Sequence, residues 1–141
     1  MKELLLSAFL VLLAASVTYA RARNAELYQS RRKPDVRLRL LAQDWADHLA
    51  AQPKGTPFRH RPNNKYGENI YFQWSSSPSF MLDAQAPVDY WYGEIKDYDY
   101  ANPGFWSKTA HFTQVVWKST TNVGCGIRRE SFRNGYYVVC N

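Results

Sequence analysis

Leu38, Leu41, Trp45 and Leu49 recur at spacings of three, four and four residues, with Ala42 and Ala46 beside them. Gln43, Asp44 and Asp47 fall on the other side, so the period predicts an amphipathic helix from about Arg37 to Ala51, ended by Pro53 and Gly55. His48 lies at the flank of the apolar stripe and reads as a packed or partly exposed structural side chain. The Pro and Asn content of residues 56–65 marks a loop, after which Tyr66 to Phe72 turns apolar and β-prone and predicts a short strand. A Ser/Pro-rich connection runs from Ser75 to Pro87. A second helix is predicted to start at Pro87, with Val88, Trp91 and Ile95 on one side. Tyr98 to Gly104 is irregular, and Phe105 to Trp117 reads either as a third helix or as a crossing into a strand, helix through about Trp117 being the one expected. Strand-like runs from Val123 to Arg129 and from Tyr136 to Asn141 flank the hairpin signal Asn134-Gly135.

The amino-terminal pattern is of another kind. Met1-Lys2-Glu3 precedes an apolar run from Leu4 to Val17, broken only by Ser7 and Ser16. Fourteen helical residues reach roughly 21 Å, short of a roughly 30 Å hydrocarbon layer. With Thr18-Tyr19-Ala20 following, residues 1–20 are predicted to be a secretory signal peptide cleaved after Ala20.

Export permits a disulfide between Cys125 and Cys140, the two cysteines of the chain. A two-residue turn at Asn134-Gly135 would set Arg129 opposite Cys140. Pairing the cysteines requires a longer loop around Glu130 to Gly135, and that arrangement is the one expected here. A bridge closing about fifteen residues stabilises by roughly 3 kcal/mol in the chain-entropy model. Two free thiols would fit only a cytosolic chain.

Composition adds one domain's worth of material: 141 residues, 45% of them apolar and 16% aromatic. The net charge of +6 suggests nucleic acid until it is located. Arg21 to Arg39 carries seven basic residues against Glu26 and Asp35, whereas Leu40 to Asn141 is nearly balanced, with ten against nine. The basic character thus belongs to a leading segment, 21–37, read as a solvated connection rather than an anionic-surface contact. Nucleic acid is not expected as a partner, and no membrane span is expected.

Four residues can carry chemistry: His60 in the loop, Glu68 before the strand, Glu94 on the second helix and His111 on the third. Two imidazoles and two carboxylates suffice for a zinc site or for acid–base work, yet no HExxH spacing joins any two of them. The plain alternative is surface histidines and solvated glutamates. A serine nucleophile has no Gly-x-Ser-x-Gly turn to sit on, and a disulfide would consume both thiols.

Three strings carry a resemblance. Tyr66-Gly67-Glu68-Asn69-Ile70, then Ala110-His111-Phe112-Thr113-Gln114-Val115-Val116-Trp117, and Val123-Gly124-Cys125-Gly126 with Tyr137-Val138-Val139-Cys140-Asn141 are similar to the CAP superfamily. That group holds the cysteine-rich secretory proteins, insect-venom antigen-five allergens and plant pathogenesis-related proteins. Leu41 to Ala46 and Trp91 to Tyr98 support the match, which runs from about Leu38 to Asn141. The resemblance implies an α+β fold, a three-layer α-β-α sandwich with a small, mainly antiparallel central sheet. It implies a cleft tetrad of His60, Glu68, Glu94 and His111, with His60 and His111 binding a divalent cation such as zinc and water or the carboxylates completing the shell. It also implies the Cys125–Cys140 bridge. The function so implied is a secreted, non-catalytic domain, 38–141, that binds metal, a lipid or sterol, or an extracellular protein. The rival is a protease-like hydrolase using the tetrad. Two departures imply an incomplete domain: the family's opening helix is not recognisable before Arg31, and its Tyr-x-Pro-x-Gly-Asn tail is absent after Asn141.

Overall fold

A computed structural model describes residues 32–130 and 132–141. The predicted signal peptide, the leading segment as far as residue 31, and any opening helix lie outside the described residues. Strand β1 (Lys33–Pro34) is followed by helix α1 (Val36–Ala50), strand β2 (Asn69–Trp74) and helix α2 (Ala86–Gly93). Helix α3 (Ala110–Val115), strand β3 (Asn122–Val123) and the hairpin β4 (Cys125–Glu130) and β5 (Gly135–Cys140) complete the order.

Asp35 starts α1: its carboxylate accepts from the Arg37 and Leu38 amides at 2.8 and 3.1 Å, filling two donors that a helix start leaves free. Asp35→Ala should therefore cost about 1 kcal/mol, read as a lower urea midpoint with an unchanged slope. Loss of less than a few tenths would mean that the packing of α1, not its cap, sets where it begins.

The sheet is antiparallel in the order β2-β5-β4, beside a two-residue parallel ladder of β1 with β3. Alternation along the central strand β5 makes it two-faced. Tyr137 and Val139 pack with Ala42, Trp45, Ala46 and Leu49 of α1, while Val138 packs with Trp91 and Tyr92 of α2 and Phe112 and Val115 of α3. These are the three layers expected, with a core on each side of the sheet. Beneath α1, Gly124 and Gly126 of the β3–β4 segment meet helix backbone directly: a Cβ at 126 would overlap Gln43 and Ala42, and one at 124 would overlap Leu38 and Arg39. The Gln43 side chain then clamps the outer edge of β4, donating to the Ile127 carbonyl at 2.9 Å and accepting from its amide at 3.1 Å.

In the hairpin Cys125 faces Cys140 and Glu130 faces Gly135, with residues 131–134 as the connection. The longer loop therefore wins over a two-residue turn at Asn134-Gly135, and the two cysteines are joined. Glu130 is nearly sealed and is held by both nitrogens of the Arg133 fork at 3.0 and 3.1 Å. That clamp is what a tight turn would have forgone.

Four sequence expectations shift. Strand β2, predicted from Tyr66, begins at Asn69: ahead of it the Asn64 side chain accepts from the Tyr66 amide and donates to the Glu68 carboxylate, tying residues 64–68 to one another as a loop. The second helix tightens at Glu94 into a 3₁₀ turn, Glu94–Asp97. The third is much shorter than Phe105 to Trp117: Trp106 is extended, Ser107–Thr109 is a 3₁₀ turn, and α3 stops at Val115. At the end of the leading segment Lys33, Pro34, Val36 and Arg37 are exposed, but Arg32 is not free in solvent. Arg32 is half-buried and donates to the Gln114 and Val115 carbonyls at 3.1 and 2.6 Å, capping the C-terminal end of α3. Burial pulls its guanidinium below the ordinary arginine range.

Candidate functional site

His60 lies in irregular chain, yet both of its neighbours are tied to α1. The Trp45 indole donates to the Arg59 carbonyl at 3.1 Å. The Arg61 guanidinium lies over the Trp45 ring at 5.2 Å and donates to the Leu41 carbonyl at 2.9 Å and the Asp44 carboxylate at 2.5 Å. His48 stacks on Trp45 and bonds Gln52, the structural part expected for it. Between its two anchored neighbours His60 directs Nδ1 to Glu68 Oε1 at 2.8 Å. The side chain of Glu68 is 4% exposed and that of His60 65%. Glu68 Oε1 also accepts from the Arg61 amide at 3.0 Å, and Oε2 accepts from Asn64 Nδ2 at 3.2 Å.

A second pair has the same form. His111 stands in the first turn of α3, and its Nδ1 meets Glu94 Oε1 at 2.6 Å. Glu94 Oε2 accepts from the Phe112 amide at 3.0 Å, one of the free donors of the helix start. Tyr90 turns an edge toward the His111 ring at 6.3 Å and toward Tyr71 at 5.5 Å, giving this side an aromatic wall. Burial, then the Tyr90 phenol, pushes the Tyr71 hydroxyl up from its ordinary range.

The two pairs are linked through consecutive residues. Glu68 holds His60, and the next residue, Asn69, donates from Nδ2 to the His111 carbonyl at 3.1 Å. Gly67 lies so close to the Gln114 side chain that a Cβ there would overlap it. Of the four predicted site residues, all take part in a histidine–carboxylate pair. Asn69, Tyr90, Arg59 and Arg61 were not singled out beforehand. Only Asn69 had a visible signal, as the third residue of the Gly-Glu-Asn string.

An ionised carboxylate has no proton to give, so Nδ1 of each imidazole carries the hydrogen in these pairs. In the neutral imidazole each Nε2 then keeps its lone pair. All four carboxylate oxygens already accept hydrogen bonds, which makes the glutamates orienting groups rather than free ligands. Among the described residues no three of His, Cys, Asp and Glu cluster closely enough to hold a metal ion by themselves. The donor set fits an ion that takes two imidazoles from the protein and fills its other positions with water or a ligand.

The hydrogen bond to Glu68 raises the His60 pKa above the usual imidazole value, with burial opposing and charge attraction adding to it. Burial alone would lift Glu68, but its bonds to His60 and Arg61 hold it below the usual carboxylate value. The His60 contribution is complete below 6.5 and disappears as pH rises through its raised pKa. That of Glu68 is complete above 4.5 and disappears as pH falls through its lowered one. The stability advantage of the protein over His60→Ala, measured as the difference in Tm, should therefore be larger at pH 5.5 than at pH 8.5. An advantage that grows with pH would contradict the pairing.

Comparison with known proteins follows the same lines. The family model described as "Cysteine-rich secretory protein family" matches residues 19–141. Protein PRY2 of Saccharomyces cerevisiae is 45% identical over 76 residues, 54% of this chain and 21% of that protein. Human Golgi-associated plant pathogenesis-related protein 1 is 36% identical over 100 residues, 69% of this chain and 60% of that one. Venom allergen 5 of Microctonus hyperodae is 33% identical over 117 residues, 77% and 49%. The chain thus spans between a fifth and three fifths of the length of these relatives. Among solved structures, BmVAL-1 superposes with a TM-score of 0.61 at 28% identity, covering 77% of this chain and 56% of that one. NaASP2 with Zn²⁺ gives 0.50 at 26%, covering 77% and 57%.

Proposed function

Because the chain belongs to the cysteine-rich secretory protein family, we propose that it is an exported binding domain whose His60 and His111 together hold one divalent cation, zinc foremost, and that it performs no catalytic step. The observation that carries the reading is the repeated pair: each histidine is oriented through Nδ1 by a carboxylate. Carboxylate–histidine–zinc is the usual arrangement by which proteins fix a ligand imidazole and raise its basicity. A bound cation would supply a positive centre with open positions for an oxygen ligand. NaASP2 was solved with Zn²⁺. Export is supported by the apolar leader, by the disulfide and by relatives named for venom, saliva and secretion. No helix among the described residues is long and apolar enough to cross a membrane.

The hydrolase alternative needs a nucleophile on one of the imidazoles. Among the described residues the side-chain partner of each Nδ1 is a carboxylate rather than a hydroxyl. Calorimetry of the disulfide-intact protein should register one Zn²⁺ per chain near neutral pH. Uptake should weaken as pH falls, since protons compete for Nε2. Absence of uptake at pH 7.5 would end the reading.

A second observation favours an apolar ligand elsewhere. Tyr98, Gly104, Thr113, Val116, Trp117 and Lys118 line a groove of about 610 Å³ that contains none of the four site residues. A lipid or sterol partner would sit there, and its binding should survive loss of both histidines.

A further inference from the structure

We infer that Asn69 is the positioning residue that fixes His60 and His111 relative to one another, an inference that rests on the two-histidine reading. The residue is 5% exposed, so its side-chain amide is committed to the protein rather than to water. The donor goes to the carbonyl of His111 itself. An α-helical carbonyl already has the amide four residues on as its donor, so α3 does not need this bond to satisfy its backbone. What the bond adds is a tie between the start of β2 and the turn that carries His111. Glu68 precedes Asn69 directly and holds His60, and consecutive Cα atoms are 3.8 Å apart across a trans peptide. Two adjacent residues of one stiff segment thus each hold one histidine.

Two further contacts keep that segment from sliding. Gly67 abuts the Gln114 side chain on α3, and Asn141 Nδ2 donates to the Gly67 carbonyl at 3.0 Å. Asn69 itself is registered against Cys140, the disulfide-bonded residue of the central strand. The Gly67-Glu68-Asn69 run is therefore a brace between α3 and the His60 loop, with Asn69 as its link to His111.

Asn69→Ala tests this in two backgrounds. In the otherwise native protein it should weaken Zn²⁺ uptake 10- to 100-fold, the range for residues that orient a ligand without touching the ion. In a His60→Ala background only one imidazole remains and there is no relative position to set. The residual uptake should then be unchanged by Asn69→Ala. Equal losses in both backgrounds, or none in either, would overturn the inference. A metal-free readout separates it from the zinc reading: the His111 ring signals in NMR should move while the Leu49 methyl signals stay. A core amide with no positioning part would leave those ring signals in place and lower only the unfolding midpoint. Should the native protein take up no Zn²⁺, the cation reading fails and the ring signals still decide for or against Asn69. Asn69→Leu, which keeps the branched side-chain shape and removes the donor, serves if the truncated variant does not fold.

Discussion

Gly126→Ala is expected to destabilise the protein by about 4 kcal/mol or more, enough to remove most of the stability of a small domain. The sign is the informative part. Gly55 is the one described glycine with a positive φ, so residue 126 has a backbone that alanine adopts without strain. By chain entropy alone such a change would stabilise by about 0.4–1 kcal/mol. Space reverses the outcome: the added methyl would overlap the backbone of α1 at Gln43 and Ala42, and backbone has no alternative rotamer. The helix would have to lift off the sheet, opening the core that Ala42, Trp45 and Val139 share. It would also lose the Gln43 clamp on Ile127. A urea melt within about 1 kcal/mol of the native protein would mean that α1 is not seated as described.

The second large effect concerns the histidines. His60→Ala or His111→Ala should each weaken Zn²⁺ binding by at least about 100-fold, since losing a direct ligand costs no less than losing an orienting partner. Glu94→Gln and Glu68→Gln should fall in the 10- to 100-fold range for the same reason. The fold should survive His60→Ala, because that side chain is 65% exposed and Glu68 keeps its bonds from Arg61 and Asn64. Calorimetry paired with thermal melts separates lost affinity from lost structure. Unchanged uptake in both single variants would place any bound zinc elsewhere.

Periodicity made α1 legible to within a residue at each end, because a 15-residue amphipathic helix carries its own pattern. The cysteine pairing was legible from export and from the family resemblance, against the local Asn134-Gly135 signal, which by itself sets Arg129 opposite Cys140. α3 was not. Its apolar positions continue to Trp117, but Arg32 takes the last carbonyls from 82 and 83 residues away, and no local pattern reports that. The site divides the same way. Its four residues stood out as candidates by type, but their grouping into one tetrad came from resemblance to a family, since separations of 8 from His60 to Glu68 and 17 from Glu94 to His111 encode no helix face. That the carboxylates bind Nδ1 rather than stand free as ligands became visible only with the tertiary structure. So did the part of Asn69, whose bond to His111 spans 42 residues.

The most direct test is a ¹⁵N NMR titration of the disulfide-intact protein with Zn²⁺, following the ring nitrogens of all three histidines. The account predicts that Nε2 of His60 and Nε2 of His111 shift together and saturate at one ion per chain. Nδ1 of both should keep its proton, donated to Glu68 and to Glu94, and His48 should not respond. A shift confined to one of the two rings, or to His48, would contradict it.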